Sequence, residues 1–244
     1  MRRRFFVDGF DANGATLRGE TAEHLGRVLR AQAGQLFELS DGNEVWLART
    51  EMVGRDAIEF SLVERIPARE PGPAILLWLA IVKFDRFEWA IEKATELGVS
   101  TIVPLAAARS ESALIAAAEK RAARWRKILL ESAQQARRLQ LPELLPVARP
   151  DEAFCNDRSA VRILLSERES APPLRDVLRG NSGQSASDSN IRAAIAIGPE
   201  GGWTDSEFEM ARAAGLMEAS LGENILRTET AVCAALASIR FALG

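Results

Sequence analysis

The chain has 244 residues, a net charge of −3 and 47% hydrophobic residues, with a mean hydropathy of −0.06. These values are typical of a globular protein with one sizeable core, or with one small and one medium domain. The apolar run at residues 75–82 is too short to span a bilayer, and no stretch suited to a signal peptide follows Met1. Cys155, Cys233 and the single histidine, His24, argue against a disulfide framework or a zinc cluster, so we expect no metal and a cytoplasmic location.

The first 70 residues have the pattern of short strands joined by turns. We expect strands at residues 5–7, 15–17, 36–39, 44–48 and 57–63, and one helix at residues 21–29. Asp41-Gly42-Asn43 between two of these strands is typical of a hairpin. Such a set predicts a small β-barrel of the kind that carries RNA-binding modules. The proline-rich residues 67–73 predict a linker after it.

Positive charge is concentrated in a few places, although the chain as a whole is weakly acidic. Residues 119–138 contain seven Lys and Arg against two Glu, and further arginines lie at positions 2–4, 27 and 30. Local patches matter more than the total charge for contacts with phosphates. The alternative is a solvated helix face with a flexible N-terminus, which fits the pattern equally well.

After the linker the periodicity changes to alternating strands and helices. We expect strands at residues 75–82, 101–105, 163–166, 193–197 and 216–221, with helices at residues 86–97, 117–138, 205–214 and 227–242. Strand 75–82 is apolar on both faces, as the central strand of a parallel sheet should be. The pattern predicts an α/β domain with a mostly parallel sheet, interrupted by a Ser-rich, disordered loop at residues 181–190.

Two glycine-containing loops follow the last two strands. The first reads G-P-E-G-G at residues 198–202, and the second reads L-G-E-N-I-L-R-T-E-T-A at residues 221–231. Parallel sheets bind small molecules at the carboxyl ends of their strands, so we expect a ligand site where these loops meet. The spacing matches neither a P-loop nor a Rossmann fingerprint. Only Glu200 brings charge to the first loop, which favours a neutral or cationic ligand over a polyphosphate; the alternative is a pair of tight turns.

The long helix carries a polar face. Positions 124, 127, 131, 135 and 138 share one side of a regular helix. They hold Arg124, Lys127, Glu131, Gln135 and Arg138. This face is suited to a nucleotide, although an ordinary amphipathic helix has the same spacing.

Taken together, the motifs resemble a known enzyme family. They are Lys83, I-E-K-A-T-E-L-G-V at residues 91–99, Arg109-Ser110, E-x-x-x-Q-x-x-R at residues 131–138, and the two glycine-containing loops. In this order they resemble the 16S ribosomal RNA uracil-N3 methyltransferases, which form the ribosomal RNA small-subunit methyltransferase E family of the SPOUT superfamily. R-R-F-F-V at residues 3–7 and H-L-x-x-V-L-R at residues 24–30 match the N-terminal domain of the family.

The resemblance implies a fold, a cofactor and an assembly. Residues 1–70 would form a PUA-like β-barrel that binds RNA, and residues 74–244 an α/β SPOUT methyltransferase domain that is tied in a trefoil knot. The family acts as a homodimer and binds S-adenosylmethionine through three loops. In this chain those loops contain Leu165, Ser166, Glu167, Ile197, Gly198, Pro199, Gly201, Gly202, Leu221, Gly222, Ile225 and Leu226.

The resemblance also implies a reaction on the small ribosomal subunit. Arg227 is the candidate for stabilising the negative charge that forms on uracil when N3 loses its proton. Glu200, Glu229 and Glu131 are the candidate proton acceptors. The expected contacts with 16S RNA come from Arg2, Arg3, Arg4, His24, Arg27, Arg30, Lys83, Arg109, Arg124, Glu131, Gln135 and Arg138. The alternatives are ribose 2′-O methylation by a related SPOUT enzyme and a binding or ribosome-assembly role without catalysis.

Overall fold

A computed structural model describes residues 3–12, 14–67, 72–157, 159–181 and 192–243. By its packing the chain divides into two compact units. Unit 1 contains Met1–Pro71 and Ala133–Leu141, and unit 2 contains Gly72–Ser132 and Pro142–Gly244. Most of the predicted linker and of the predicted Ser-rich loop lies outside the described residues.

Unit 1 is built on a five-stranded sheet with the order β1-β3-β4-β5-β2. Its strands are β1 (Arg4–Phe6), β2 (Ala15–Arg18), β3 (Leu36–Ser40), β4 (Val45–Val53) and β5 (Ala57–Ile66). Between β2 and β3, helix α1 (Gly19–Glu23) continues into a π-helical turn (His24–Val28). β1 pairs with β3 in parallel, whereas the other pairs are antiparallel. The predicted strands, the helix and the hairpin at residues 41–43 are confirmed.

The core of unit 1 follows from alternation along these strands. Phe5, Leu17, Leu39 and Ile58 are at most 3% exposed and pack on Leu25 from the π-helical turn. Their strand neighbours point to the opposite face of the sheet, because successive strand side chains alternate.

Unit 2 contains a six-stranded parallel sheet with the order β11-β9-β10-β6-β7-β8. Its strands are β6 (Ala74–Ala80), β7 (Thr101–Leu105), β8 (Glu143–Leu144), β9 (Val161–Leu165), β10 (Arg192–Ile197) and β11 (Met217–Ala219). Its helices are α2 (Phe84–Glu96), α3 (Ser112–Gln135), α4 (Pro150–Asn156), α5 (Leu174–Asn181), α6 (Asp205–Ala213) and α7 (Thr228–Leu243). The predicted α/β class and parallel sheet are confirmed. The trefoil knot stays a prediction.

Both faces of this sheet are buried. Leu77 and Leu79 pack into the core that α2, α3, α5 and α7 cover, whereas Trp78 and Ala80 pack into a second core beneath α4 and α6. This arrangement explains why β6 has no polar face. Three short elements were not predicted, namely β8, α4 and α5.

The C-terminal end of α3 departs from the prediction. The helix ends at Gln135 rather than at residue 138, and Arg137 adopts a left-handed backbone conformation with φ of 51°. Residues 133–141 belong to unit 1, where the Ser40 hydroxyl donates to the Leu139 carbonyl at 2.8 Å and the Gln140 amide donates to the Gly42 carbonyl at 2.9 Å. Arg138 therefore does not continue the polar face of the helix, because the backbone turns at Arg137.

Helix α2 ends at a glycine that α7 holds in place. Gly98 has a φ of +86°, a conformation that favours glycine. Arg240 of α7 donates to the carbonyls of Leu97, at 3.1 Å, and of Gly98. Burial lowers the pKa of the Arg240 guanidinium. Arg240 thus supplies hydrogen bonds that the last turn of α2 lacks within the helix.

Two other pKa values shift where α2 packs on α7. The Lys93 ammonium donates hydrogen bonds to Glu92 and Glu96, and these bonds raise the pKa of Lys93. Burial raises the pKa of the Cys233 thiol, and the charge of Lys93 opposes that rise. Lys93 lies on α2 and Cys233 on α7, so both shifts arise from contacts within and between these two helices.

We expect Arg240→Ala to lower the free energy of unfolding by about 2 kcal/mol, because two carbonyls at the end of α2 lose a charged donor. Urea denaturation followed by circular dichroism measures the change. Arg212→Ala removes an exposed arginine from α6 and is the matched control, with an expected change below about 0.5 kcal/mol. Equal stabilities of the two variants would contradict this role of Arg240.

Candidate functional site

A pocket of about 400 Å³ lies at the carboxyl ends of β9, β10 and β11. Three loops line it, and they begin at Leu165, Ile197 and Leu221. The pocket contains every residue predicted for the cofactor loops: Leu165, Ser166, Glu167, Ile197, Gly198, Pro199, Gly201, Gly202, Leu221, Gly222, Ile225 and Leu226. The structure thus brings together residues that are up to 61 positions apart in the chain, from 165 to 226.

The first part of the wall is the glycine-containing loop at residues 198–202. The Gly202 amide donates to the Pro199 carbonyl at 2.8 Å, and Gly202 has a φ of +68°. A Cβ at Gly198 would lie 3.0 Å from Cε2 of Trp203, so the loop packs directly on this ring. The Trp203 indole in turn donates to the Leu165 carbonyl at 2.9 Å. One buried side chain therefore connects the loop after β10 to the end of β9.

The second part of the wall is the loop at residues 221–228, which leads into α7. Gly222 has a φ of +127°, which explains the glycine at this turn. The Thr228 hydroxyl donates to the Gly198 carbonyl at 3.2 Å. Ile225 lines the pocket and is 78% exposed. This loop combines an exposed apolar side chain with a threonine hydroxyl that is bonded to the backbone of the first loop.

Helix α6 begins at the pocket with a capping box. Glu207 is 2% exposed, and its Oε2 accepts from the Thr204 amide at 2.8 Å and from the Thr204 hydroxyl at 2.9 Å. Its Oε1 accepts from the Ala108 amide at 2.8 Å. Glu207 was not among the predicted site residues, although T-x-x-E before an apolar run indicates a capping box.

Three of the charged side chains that line the pocket are in ion pairs, namely Glu200, Arg168 and Asp205. Glu200, one of the candidate proton acceptors, forms an ion pair with Arg86 of α2. Arg168 forms an ion pair with Asp205, and its guanidinium lies 3.6 Å from the centroid of the Phe208 ring. Arg86, Arg168 and Asp205 were not predicted, because their partners are distant in the chain.

Arg227 and Glu229 flank the pocket in sequence. Among the described residues, the lining includes Leu226, Thr228 and Ala231 but neither of these two. Arg227 is exposed, and no ion pair joins it to Glu229 or Glu131 in the part of the chain that the structure describes. Oε2 of Glu229 is buried and has no hydrogen-bond partner within the same residues.

The residues predicted to bind RNA fall in both units. In unit 1, Arg3, Arg27 and Arg30 are exposed, and His24 is half-buried. Arg27 pairs with Glu23. Arg4 is largely buried and donates to Glu38 at 3.0 Å and to the Arg137 carbonyl at 2.6 Å.

Two further predicted RNA-binding residues lie at the end of α3 or just after it. Gln135 is exposed and Arg138 is half-buried. Arg2 lies outside the described residues.

In unit 2 the predicted RNA-binding residues have different surroundings. Lys83 is exposed at the start of α2, and Glu131 is exposed on α3. Arg124 donates to both oxygens of Glu88, at 2.9 Å and 2.8 Å. Arg109 lines the pocket and donates to the Gly201 carbonyl at 2.6 Å.

The described ranges contain neither a cluster of metal-binding side chains nor a helix that could span a membrane. No group of three or more His, Cys, Asp or Glu side chains there is arranged to hold a metal ion. The described helices are each too short or too polar to cross a membrane.

Family models match both parts of the chain. The model described as RNA methyltransferase domain matches residues 69–240, and the model described as RNA methyltransferase PUA domain matches residues 17–63. With the parallel α/β fold and the three-loop pocket, these matches define an RNA methyltransferase.

Individual relatives narrow this class. The Ribosomal RNA small subunit methyltransferase E of Synechocystis sp. is 34% identical over 92% of this chain and 72% of its own length, and that of Mesomycoplasma hyopneumoniae is 33% identical over 93% and 94%. The crystal structure of the Neisseria gonorrhoeae protein of this name, bound to S-adenosyl methionine, has a TM-score of 0.84 at 30% identity and covers 99% of this chain and 98% of that chain. The chain belongs to the ribosomal RNA small subunit methyltransferase E family, as its motifs predicted.

We expect Glu207→Gln to lower the free energy of unfolding by about 2 kcal/mol, because an amide group would face donors that now meet a carboxylate oxygen. Thermal and urea unfolding measure the change. Glu209→Gln alters an exposed residue of the same helix and serves as the control. A Glu207→Gln variant as stable as that control would show that the capping box does not hold this wall of the pocket.

Proposed function

We propose that this protein transfers the methyl group of S-adenosylmethionine to N3 of one uridine in the 16S RNA of the small ribosomal subunit. The observation that carries the proposal is the meeting of three predicted loops around one pocket at the carboxyl ends of β9, β10 and β11. The Neisseria gonorrhoeae relative, which is similar over nearly its whole length, was crystallised with S-adenosyl methionine.

The residues of the pocket fit this cofactor. A volume of about 400 Å³ lies within the range of small-molecule sites. Leu165, Leu221 and Ile225 offer apolar surface for an adenine ring, and the glycine-containing loops expose backbone groups for hydrogen bonds. Glu167 and Glu223 also line the pocket, and neither carboxylate forms an ion pair with another described residue. Carboxylates of this kind suit a cationic sulfonium.

When bound, the cofactor supplies an electrophilic methyl group, and the protein has to align uracil N3 with it. N3 must lose its proton before it attacks, which spreads negative charge over the uracil oxygens. Arg227 is the proposed residue that stabilises this charge, since it is exposed beside the pocket-lining residues Leu226 and Thr228.

Glu200 is the proposed proton acceptor. It lines the pocket, whereas Glu131 and Glu229 are not among the lining residues in the described part of the chain. Its carboxylate is held by Arg86, so proton transfer requires it to exchange that ion pair for the N3–H group. Glu229 keeps the role of second candidate because one of its oxygens is buried without a partner among the described residues.

The remaining parts of the proposal concern the RNA and the assembly. Residues 1–70 would hold RNA as a PUA-like domain, with residues 74–244 as a knotted catalytic domain. Exposed arginines such as Arg3, Arg27 and Arg30 would contact the RNA backbone without reading its sequence. N3 lies on the Watson–Crick edge, so the target base must be unpaired before reaction. We also propose that the protein is a homodimer and acts in the cytoplasm, where its ribosomal substrate is found.

The proposal is tested on small ribosomal subunits from cells that lack the modification. They are incubated with the protein and S-adenosylmethionine, and the 16S RNA is scanned by reverse transcription. We expect a strong stop at one uridine, because an N3-methyl group blocks base pairing. Arg227→Ala should slow the appearance of this stop about a hundredfold, since an oriented cationic donor is lost.

The Arg227 effect has two controls. Arg227→Lys keeps the charge and should recover part of the rate, whereas Arg175→Ala removes an exposed arginine from α5 and should leave the rate unchanged. Methyl incorporation without a stop would point to ribose 2′-O methylation. Cofactor binding with no incorporation into subunits or free RNA would favour the non-catalytic alternative.

A further inference from the structure

We infer that Arg109 is a positioning residue for the cofactor loop rather than a contact to RNA. The inference rests on the proposed function, because it assigns Arg109 to the S-adenosylmethionine site. It concerns the conformation of the loop at residues 198–202, which Arg109 contacts from the neighbouring loop after β7.

The contact has a polar and an apolar part. Nη1 of Arg109 donates to the Gly201 carbonyl at 2.6 Å. A Cβ at Gly201 would lie 3.3 Å from Cδ and 3.5 Å from Cβ of Arg109, so the aliphatic part of the arginine covers this glycine. Both parts act on the same peptide segment, which fixes the loop more tightly than a hydrogen bond alone.

The backbone beneath Arg109 is itself held in place. Ala107 is 1% exposed, and its carbonyl accepts from the Ser110 amide at 3.0 Å. The Ala108 amide donates to the buried carboxylate of Glu207 at 2.8 Å. Arg109 therefore projects from a loop that is attached to the start of α6, and it can hold the glycine-containing loop at a fixed distance from that helix.

A fixed loop lowers the entropy that must be lost when a ligand binds. Without Arg109, the Gly201–Gly202 segment has fewer contacts to restrain it, and glycines have the largest conformational freedom of all residues. The binding of the cofactor would then have to order the loop, so its affinity would fall.

Charge alone predicts the opposite result. Arg109 is a cation in a pocket proposed for a cationic ligand, so its removal should favour that ligand electrostatically. A loss of affinity in Arg109→Ala would therefore exclude repulsion between Arg109 and the net charge of the cofactor as the dominant effect. This opposition of sign separates the two explanations in one measurement.

The test measures S-adenosylmethionine binding by isothermal titration calorimetry without RNA. We expect Arg109→Ala to weaken binding about fivefold to twentyfold, as for the loss of a partly exposed charged hydrogen bond. Arg109→Lys should weaken it less, because lysine retains a charged donor group and an aliphatic stem. Arg175→Ala is the control and should bind as the wild type does.

A second variant tests the contact itself. Gly201→Ala puts a Cβ against Arg109 in the wild-type background, whereas in Arg109→Ala the nearest retained atom is 3.5 Å away. We expect the loss of affinity caused by Gly201→Ala to be about threefold smaller in the Arg109→Ala background. Independent effects of the two substitutions would contradict a direct contact.

The outcomes separate this inference from the proposed function. If Arg109 contacts RNA, Arg109→Ala should leave cofactor affinity unchanged, weaken the binding of small subunits and reduce the salt dependence of that binding. Our inference predicts the reverse, with a higher KM for S-adenosylmethionine and an unchanged KM for subunits. A wild-type protein that fails to bind S-adenosylmethionine would overturn the proposed function itself.

Discussion

Parallel pairing of β9 with both β10 and β11 is the constraint on which the pocket depends. Leu164 pairs with Ala196 on one side of β9, and Leu165 pairs with Ala219 on the other. All three strands therefore end at nearly the same level, and their loops start side by side. A shift of one residue in either pairing would reverse the faces of a strand and expose part of the core, so the apolar faces also fix the level of the loops.

Side chains, rather than strand hydrogen bonds, hold these loops to one another. Trp203 donates to the Leu165 carbonyl, Thr228 to the Gly198 carbonyl and Arg109 to the Gly201 carbonyl. Backbone carbonyls at or beyond the ends of strands need other partners, and each of these three receives one from a different loop or helix. The pocket is thus formed by the folded chain itself, which leaves less of the ordering to the ligand.

The sequence predicts whatever depends on local pattern or on long motifs. Apolar runs and alternation locate most strands, and the glycine-containing loops locate the pocket. Pairs between distant residues, such as Arg86 with Glu200 and Arg168 with Asp205, leave no local signal. The early end of α3 was also missed, because a left-handed Arg137 replaces the glycine that usually marks such a stop. Short elements such as α4 contain too few turns to show a period.

The charged side chains of the pocket favour the proposed cationic cofactor over the phosphates of an RNA strand. Arg168 is neutralised by Asp205, and Arg109 is engaged by a carbonyl, while Glu167 and Glu223 have no ion pair among the described residues. The pocket is therefore suited to a cation and repels phosphates, so an RNA strand would approach it with a base rather than with its backbone. Arg227 differs from Arg168 because no described carboxylate forms an ion pair with it. In the proposed reaction, an unpaired guanidinium at this position would be available to an oxyanion that forms only during the transfer.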